Sequence, residues 1–304
     1  MYDVIIVGGG PAGLTAAVYA MRAGKSVLVI EKAGFGGQIA FSPKVENIPG
    51  FAVISGAEFA DKLAEQVMNL GADVELECVT GVEKIEGGFA VTTEEGSSFE
   101  GKAVILANGV KHRMLGLDGE EELVGHGLSF CAVCDGAFYA GQETAMIGGG
   151  NSALQEALLL SEVCTKVTVV QNLPTFTGEQ KLAEALMARD NVEVRFSTVV
   201  SEYVTENGEL TGLKLHNDAT GEDSEIRVDG AFLAVGLQPE NENFAHLVGL
   251  NQYGYYDVDE FCATKTPGIY VAGDCRSKFI RQVTTAAGDG AVAAMGACRW
   301  LDQQ

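Results

Sequence analysis

The sequence is poor in positive charge, with 20 Lys and Arg against 42 Asp and Glu, a formal balance of −22. A general nucleic-acid binder or a protein held on anionic lipid needs cationic surface to meet phosphates, so both classes are excluded. The acid excess otherwise serves solubility. Proline is scarce, at 6 residues, and 47% of the chain is hydrophobic, which excludes a largely disordered polymer. Cysteine is sparse and odd in number, at 7, too few for a disulfide-stapled secreted scaffold. Only Cys131 and Cys134 lie close together; there is no second CxxC and no histidine pair at ligand spacing, so no metal site is expected. Long uninterrupted apolar runs are missing too. The stretch from Val4 to Met21 is preceded by Asp3 and broken by Gly8-Gly9-Gly10, so neither a cleavable leader nor a membrane span is expected, and a cytoplasmic location is.

Glycine is plentiful. Its 39 residues cluster just after short apolar runs, where nucleotide-binding turns are found. Asp3–Val7 reads as a buried parallel strand, Gly13 to Ala23 as a helix ended by Gly24, and Ser26–Ile30 as a second buried strand with Glu31 at its end. That is one β-α-β unit. The pattern recurs as strand Thr144–Ile147, turn Gly148-Gly149-Gly150, helix Ser152 to Glu162 and strand Lys166–Val170. Gly8 to Glu31 and Gly148 to Gln171 both span 23 positions (31 − 8 and 171 − 148), so one unit occurs twice. Between the copies come a helix from Gly56 to Leu70 and strands Asp73–Val79, Phe89–Thr93 and Ala103–Leu106. After the second come strands Val192–Phe196, Gly212–His216, Ala231–Val235 and Gly268–Ala272, then a helix from about Gln282 to Leu301. At roughly 150 residues per domain, 304 residues make about two domains. Crossovers near 112–116 and 240–245 make the second unit an insertion in the first.

Gly8-x-Gly10-x-x-Gly13 follows a strand and opens a helix. Its glycines permit a tight turn, close approach of backbone to a pyrophosphate, and close helix–strand packing. The helix N-terminus stabilises phosphate charge, and Glu31 stands where a ribose hydroxyl is bound. The bland alternative is a glycine turn needed only for packing. Gly148-x-Gly150-x-x-Ala153 is placed alike, but Gln171 stands where Glu31 did, and Gln171 to Gln180 holds no arginine and one acid, Glu179. NADPH would want arginine there and NADH a carboxylate; a fold kept with a repurposed site is the competing reading. Cys131-Ala132-Val133-Cys134-Asp135 can close a small disulfide and exchange it with another dithiol, with Asp135 as proton donor or acceptor. Two inert structural cysteines are the alternative. Gly273-Asp274 ends a buried strand, where the acid binds a ribityl or ribose hydroxyl or merely caps a helix.

Together these residues resemble the low-molecular-weight thioredoxin reductases of bacteria and archaea. The resemblance runs end to end, through Gly36-Gly37-Gln38, Glu46-Asn47, the CxxC-Asp followed by Gly136, and Gly273-Asp274 with Arg281-Gln282-Val283. It implies an α/β, three-layer chain of two Rossmann-like dinucleotide-binding domains. An FAD-binding domain would occupy 1–113 and 244–304, and an inserted NAD(P)-binding-like domain carrying the CxxC would occupy 114–243. It implies a flavin-dependent homodimer that reduces thioredoxin, its inserted domain rotating between flavin and partner. FAD would be lined by Gly8, Gly10, Pro11, Ala12, Gly13, Glu31, Lys32, Gly37, Gln38, Asn47, Ala107, Asn108, Gly109, Gly273, Asp274, Arg281, Gln282 and Val283. Cys131 and Cys134 would take electrons from the flavin, with Asp135 as the acid.

One departure concerns the electron donor. NADPH-dependent members carry a His-Arg-Arg run and a later arginine; here stand Gln171-Asn172-Leu173 and Thr177. The chain thus resembles the branch that includes ferredoxin-dependent flavin thioredoxin reductases, and ferredoxin is the favoured donor. A ferredoxin is itself acidic and would need a basic patch, for which Arg276, Lys278 and Arg281, or Lys111, His112 and Arg113, are candidates. The alternatives are an NADH- or NADPH-dependent reductase of thioredoxin or peroxiredoxin type, and a flavin-bound sensor without turnover.

Overall fold

A strand whose consecutive side chains are all apolar has no face to offer to water and folds into the middle of a covered parallel sheet. Such runs organise the computed structural model of the chain, which describes residues 1–41 and 45–304. Two units form, Met1–Lys111 with Gln238–Gln304, and His112–Leu237. In the first, β1 (Tyr2–Val7), β2 (Val27–Glu31), β3 (Asp73–Leu76), β4 (Val79–Ile85), β5 (Gly88–Thr93) and β6 (Ser98–Leu106) lie in the order β3-β2-β1-β6-β5-β4. β1 is parallel to both β2 and β6, with Val4 opposite Val27 and Ala103. β6 changes character along its length. Its first half, Ser98–Gly101, is antiparallel to β5; its second, Val104–Leu106, is parallel to the late strand Ile269–Val271. The burial follows suit, since all four residues from Ala103 to Leu106 are inaccessible.

One face of this sheet is covered by α1 (Pro11–Arg22) and the C-terminal helix Val283–Leu301. Small residues make that packing close: Ala16, Ala17 and Ala20 share a core with Ala293, Ala294 and Ala297. A Cβ built on Gly290 would run into the carbonyl oxygen of Ala12, so the helices touch backbone to backbone. The helix α2 (Gly56–Asn69) starts at Ser55, whose hydroxyl accepts from the Glu58 N–H at 3.1 Å.

The second unit holds β7 (Leu128–Ser129), α3 (Ala132–Asp135), β8 (Glu143–Ile147), α4 (Asn151–Val163), β9 (Lys166–Val170), α5 (Gln180–Met187) and β10 (Val192–Arg195). Then come β11 (Thr198–Glu206), β12 (Glu209–Asn217), β13 (Asp223–Arg227) and β14 (Gly230–Leu233). A parallel sheet β10-β9-β8-β14-β7 has helices on one face and the antiparallel sheet β11-β12-β13 on the other, each interface a separate apolar core. The chain is therefore α/β, with two Rossmann-like units and the three layers the resemblance implied. The crossings fall at 111/112 and 237/238. The return thus precedes the 240–245 region, and the residue 243, read from sequence. Asn241 gives the reason: its amide donates to the carbonyls of Gly254 and Cys275, both at 2.9 Å, and fixes that segment to the first unit. Among the described residues no helix is long and apolar enough to cross a membrane.

The helix contact can be tested by one methyl group. Gly290→Ala is expected to cost about 1–3 kcal/mol through overpacking, read as a lower thermal midpoint; an unchanged midpoint would show that the two helices have room.

Candidate active site

All the residues assigned to the first dinucleotide turn gather at the C-terminal ends of the parallel strands of the first unit. Gly8 ends β1 at φ +109°, a backbone state closed to other residues, and a Cβ there would strike the Ala107 carbonyl beyond β6. A Cβ on Gly13 would strike the Gly8 carbonyl, so the helix starts in contact with the turn. Gly10 differs, because the nearest atoms to a Cβ there are 3.9 Å away. Its open side adjoins the N-terminus of α1, where Gly10 offers no side-chain cap and Pro11 no N–H. The free N–H groups of the first turn are left for an anion. The place is also the switch point of the sheet, since the chain leaves β1 toward β2 on one side and β6 lies on the other.

Glu31 is 9% exposed; one oxygen accepts from the Gly9 N–H at 2.7 Å and the other from the Ala33 N–H at 3.0 Å. Each oxygen keeps a lone pair for a ribose hydroxyl. Gly36 donates to the Gly9 carbonyl at 2.8 Å, and Gly37 follows at the edge of Gly10. Lys32 turns instead to Glu240, at 3.2 Å. Gln38 donates to the Val110 carbonyl at 3.4 Å and Asn47 to the Gln282 amide oxygen at 3.1 Å. Asn108 donates to Asn241 and to the Glu240 carbonyl at 2.9 and 3.1 Å, with Gly109 next in the chain. A Cβ on Gly273 would lie 2.8 Å from that of Ala12, which sets Asp274 by the turn. Arg281 bonds the Asp274 carbonyl at 3.3 Å and stacks over Tyr255 at 4.2 Å, while Gln282 caps the C-terminal helix that Val283 begins.

Asp274 is the telling group. Its Oδ1 is shut off from solvent with no hydrogen-bond donor, and the nearest cation, Lys278, stands 3.8 Å away. Desolvation raises its pKa, with Lys278 and Arg281 opposing. A hydroxyl donor supplied by a ligand would satisfy that oxygen. An uncapped helix N-terminus, an open glycine edge, a ribose-facing carboxylate and this orphaned oxygen together fit FAD.

In the second unit Cys131 and Cys134 are disulfide bonded, their Cα atoms 5.3 Å apart. Cys131 is the N-cap of α3, and its sulfur accepts from the Cys134 N–H at 3.2 Å. Ser129, at the end of β7, accepts from the Cys131 N–H at 3.1 Å and donates to Asp135 Oδ2. The other Asp135 oxygen is buried without a donor, and desolvation raises the pKa of the group against the pull of Ser129. Val133 and Phe138 flank the pair at 57% and 51% exposure. A second carboxylate, missed in the sequence, approaches from α4: Glu156 accepts from the Ala132 N–H at 2.8 Å. Its spacing held the signal, because Ala153, Ala157 and Leu160 mark the buried stripe of that helix and Glu156 lies along it.

The second turn keeps the backbone geometry of the first. A Cβ on Gly148 would strike the Ala234 carbonyl, whereas at Gly150 the nearest atom is 3.8 Å off. Gln171 is 3% exposed and donates to the Thr175 carbonyl at 3.0 Å, and Thr177 and Gly178 close on the Gly149 carbonyl at 2.9 and 3.0 Å. Glu179 brings a carboxylate to 3.4 Å from the Asn151 amide, at the start of α4. No cation stands in this loop. The basic patch proposed from Arg276 and Lys278 is corrected by the structure: their side chains are only 11% and 9% exposed, and both bond Asp289 at 2.8 Å. Of the other trio, Lys111 pairs with Glu240 at 2.7 Å. His112 stacks on Phe130, and burial lowers its pKa, so it tends to be neutral; Arg113 is exposed.

The sequence pattern of the family described as pyridine nucleotide-disulphide oxidoreductase matches residues 2–290. A thioredoxin reductase of Bacillus subtilis is 39% identical over 100% of this chain and 96% of its own length. A 34.2 kDa protein in the rubredoxin operon of Clostridium pasteurianum is 38% identical over 98% of this chain and 97% of its own. The crystal structure of thioredoxin reductase from Streptococcus pyogenes superposes with a TM-score of 0.87 at 38% identity, covering 100% of this chain and 99% of that one. With both glycine turns and the CxxC disulfide in place, the chain belongs to the pyridine nucleotide-disulphide oxidoreductases, among the low-molecular-weight thioredoxin reductases, and is a flavin disulfide oxidoreductase.

Proposed function

We propose that this enzyme reduces the disulfide of a thioredoxin and draws its electrons from a donor other than NADPH, a ferredoxin-type one-electron carrier first. The observation that carries the chemistry is the Cys131–Cys134 disulfide on a one-turn helix beside the half-satisfied carboxyl of Asp135. The chemistry that bound FAD supplies is acceptance of electrons from the donor and delivery of a pair to this disulfide. Gly10, Pro11 and the α1 N-terminus would hold its pyrophosphate, Glu31 a ribose, and Asp274 a further hydroxyl.

Once the pair is reduced, the thiolate of one cysteine attacks a sulfur of the thioredoxin disulfide. That S–S bond breaks, and its second sulfur leaves as a thiolate that takes a proton. The other cysteine then attacks the mixed disulfide, which frees the remaining thioredoxin sulfur and closes Cys131–Cys134 again. Asp135 is suited to give those protons, because burial raises its pKa above the ordinary carboxyl value. Val133 and Phe138 offer the exposed apolar contact a protein substrate needs around the pair.

Four supports favour a donor other than NADPH. Gln171, Asn172, Leu173 and Thr177 offer no cation to a 2′-phosphate, the loop is closed on Gly149, and Glu179 adds negative charge at the α4 N-terminus. One relative is described by its place in a rubredoxin operon, next to a one-electron carrier. NADH is the second reading, favoured by Glu179, a carboxylate beside the second turn, and by the internal bonding of Arg276 and Lys278, which takes them from any ferredoxin-docking patch.

Anaerobic mixing separates these donors. Reduced ferredoxin is expected to bleach the flavin and sustain thioredoxin reduction, with NADPH inert; bleaching by NADPH at micromolar concentration would sink the reading. Asp274→Ala is expected to purify with less flavin than the native chain, and equal flavin content would remove Asp274 from the site. Asp135→Asn should keep its flavin yet lose roughly 10²–10⁴-fold in thioredoxin turnover, the usual scale for a general acid. Undiminished turnover would free Asp135 of that role.

A further inference from the structure

Glu156 has no part in the exchange as written, yet it lies one peptide from Cys131. It comes from α4, 24 residues along the chain, and accepts the N–H of Ala132, the first residue of the redox helix. The same helical turn directs the Cys134 N–H at the Cys131 sulfur, 3.2 Å away. The charged group facing Glu156 is Asp135, on α3; among the described residues no Lys, Arg or His compensates it. Around them α4 and its neighbouring strands present apolar side chains, Ala157, Leu160, Met146 and Val167. Two half-buried carboxyl groups thus flank the disulfide-bearing helix within the second unit.

We propose that Glu156 is a positioning residue that takes up a proton when Cys131–Cys134 is reduced, so that the pocket carries the same charge in both redox states. The inference rests on the reading of Cys131 and Cys134 as the redox pair. The balance is simple. With Glu156 ionised, the disulfide accepts two electrons and two protons; the S–S bond breaks, one proton goes to one sulfur to give a thiol, and the second goes to Glu156. The other sulfur remains a thiolate. The negative charge that was on the carboxylate is now on sulfur, ready to attack, and no second anion has to be buried. When the pair is oxidised by thioredoxin, the thiolate charge is spent in bond formation and Glu156 returns its proton to the outgoing sulfur or to solvent. Burial, aided by Asp135, pushes the Glu156 carboxyl up to about 7, which places the exchange in the neutral range.

The alternative is an anchor, a carboxylate kept only to accept the Ala132 N–H. Glu156→Gln discriminates, since its amide oxygen still accepts that bond but cannot titrate. The full-length flavoprotein is equilibrated anaerobically with thioredoxin of known potential from pH 5.5 to 8.5, and the dithiol fraction is trapped by alkylation and read by mass. The native protein is expected to take up two protons per disulfide at pH 8, where Glu156 starts ionised, and Glu156→Gln only one once its thiolate has formed. The same variant should alkylate faster at pH 8, where the native carboxylate competes with the sulfur for the one negative charge, by about tenfold if its thiol pKa falls by one unit. Identical proton numbers and alkylation profiles in the two proteins would overturn the proposal. Glu156→Ala, which loses the acceptor, reports the anchor alone as a lower thermal midpoint. If neither protein yields a trapped dithiol, the failure lies in the redox pair itself and not in Glu156.

Discussion

Backbone pressed against backbone is the constraint from which the site follows. The end of β1 cannot reach the start of α1, nor lie beside Ala107 at the end of β6, unless Gly8 and Gly13 are without side chains. That contact fixes where the helix N-terminus points. It leaves the one glycine with an open side, Gly10, as the surface on which an anion can lie. Glu31 is then held by the N–H of Gly9, within the same turn, so that the carboxylate proposed for a ribose is positioned by the element proposed for the phosphate. On the far side, Gly290 lets the C-terminal helix lie on Ala12, and Gly273 brings Asp274 up to the same residue. A flavin cradle of this kind is a consequence of several missing methyl groups.

The second unit shows that the backbone device and the ligand chemistry are separable. Gly148 meets Ala234 as Gly8 meets Ala107, and Gly150 is open as Gly10 is. The side chains around that turn differ in sign and in partner. Glu31 accepts from its glycine turn; Gln171, at the matching place, spends its amide on Thr175. The loop that would hold a 2′-phosphate is neutral except for Glu179, which repels one. Packing alone requires Gly8 and Gly148, because a Cβ at either would strike the carbonyl at the end of the neighbouring strand. It places no demand on the residues that face the ligand.

Those facts explain what was legible in the sequence. Glycine spacing and unbroken apolar runs identify both β-α-β units, because sterics and burial act on neighbouring residues. Positions reached only through tertiary contact were harder. The stretch Asp73–Val79, read as one strand, is the whole of β3 and the first residue of β4, with a break between them. β11 was passed over although Asn207-Gly208, both at positive φ, is a strong two-residue hairpin turn. Arg276 and Lys278 look like surface charge until Asp289, more than ten residues on, is seen to claim both. Glu156 was invisible as a partner of the CxxC, since only the fold brings α4 to α3.

In a chain carrying 42 acidic residues, the question is which carboxylates do chemistry, and donors decide it. Glu120 is 3% exposed and receives the N–H groups of Leu115, Gly116 and Leu117 together with the Tyr203 hydroxyl. So complete a shell ties Glu120 down as the anchor of a loop. Asp135, Glu156 and Asp274 are the reverse. Asp135 and Asp274 each have an oxygen buried without a donor, and Glu156 has one N–H against a neighbouring acid. In all three, burial favours the neutral form. An incomplete shell costs stability, and it persists where a ligand hydroxyl or a redox-linked proton completes it for part of the cycle. By that measure the three acids proposed for proton or ligand chemistry are less satisfied than Glu31 or Glu120.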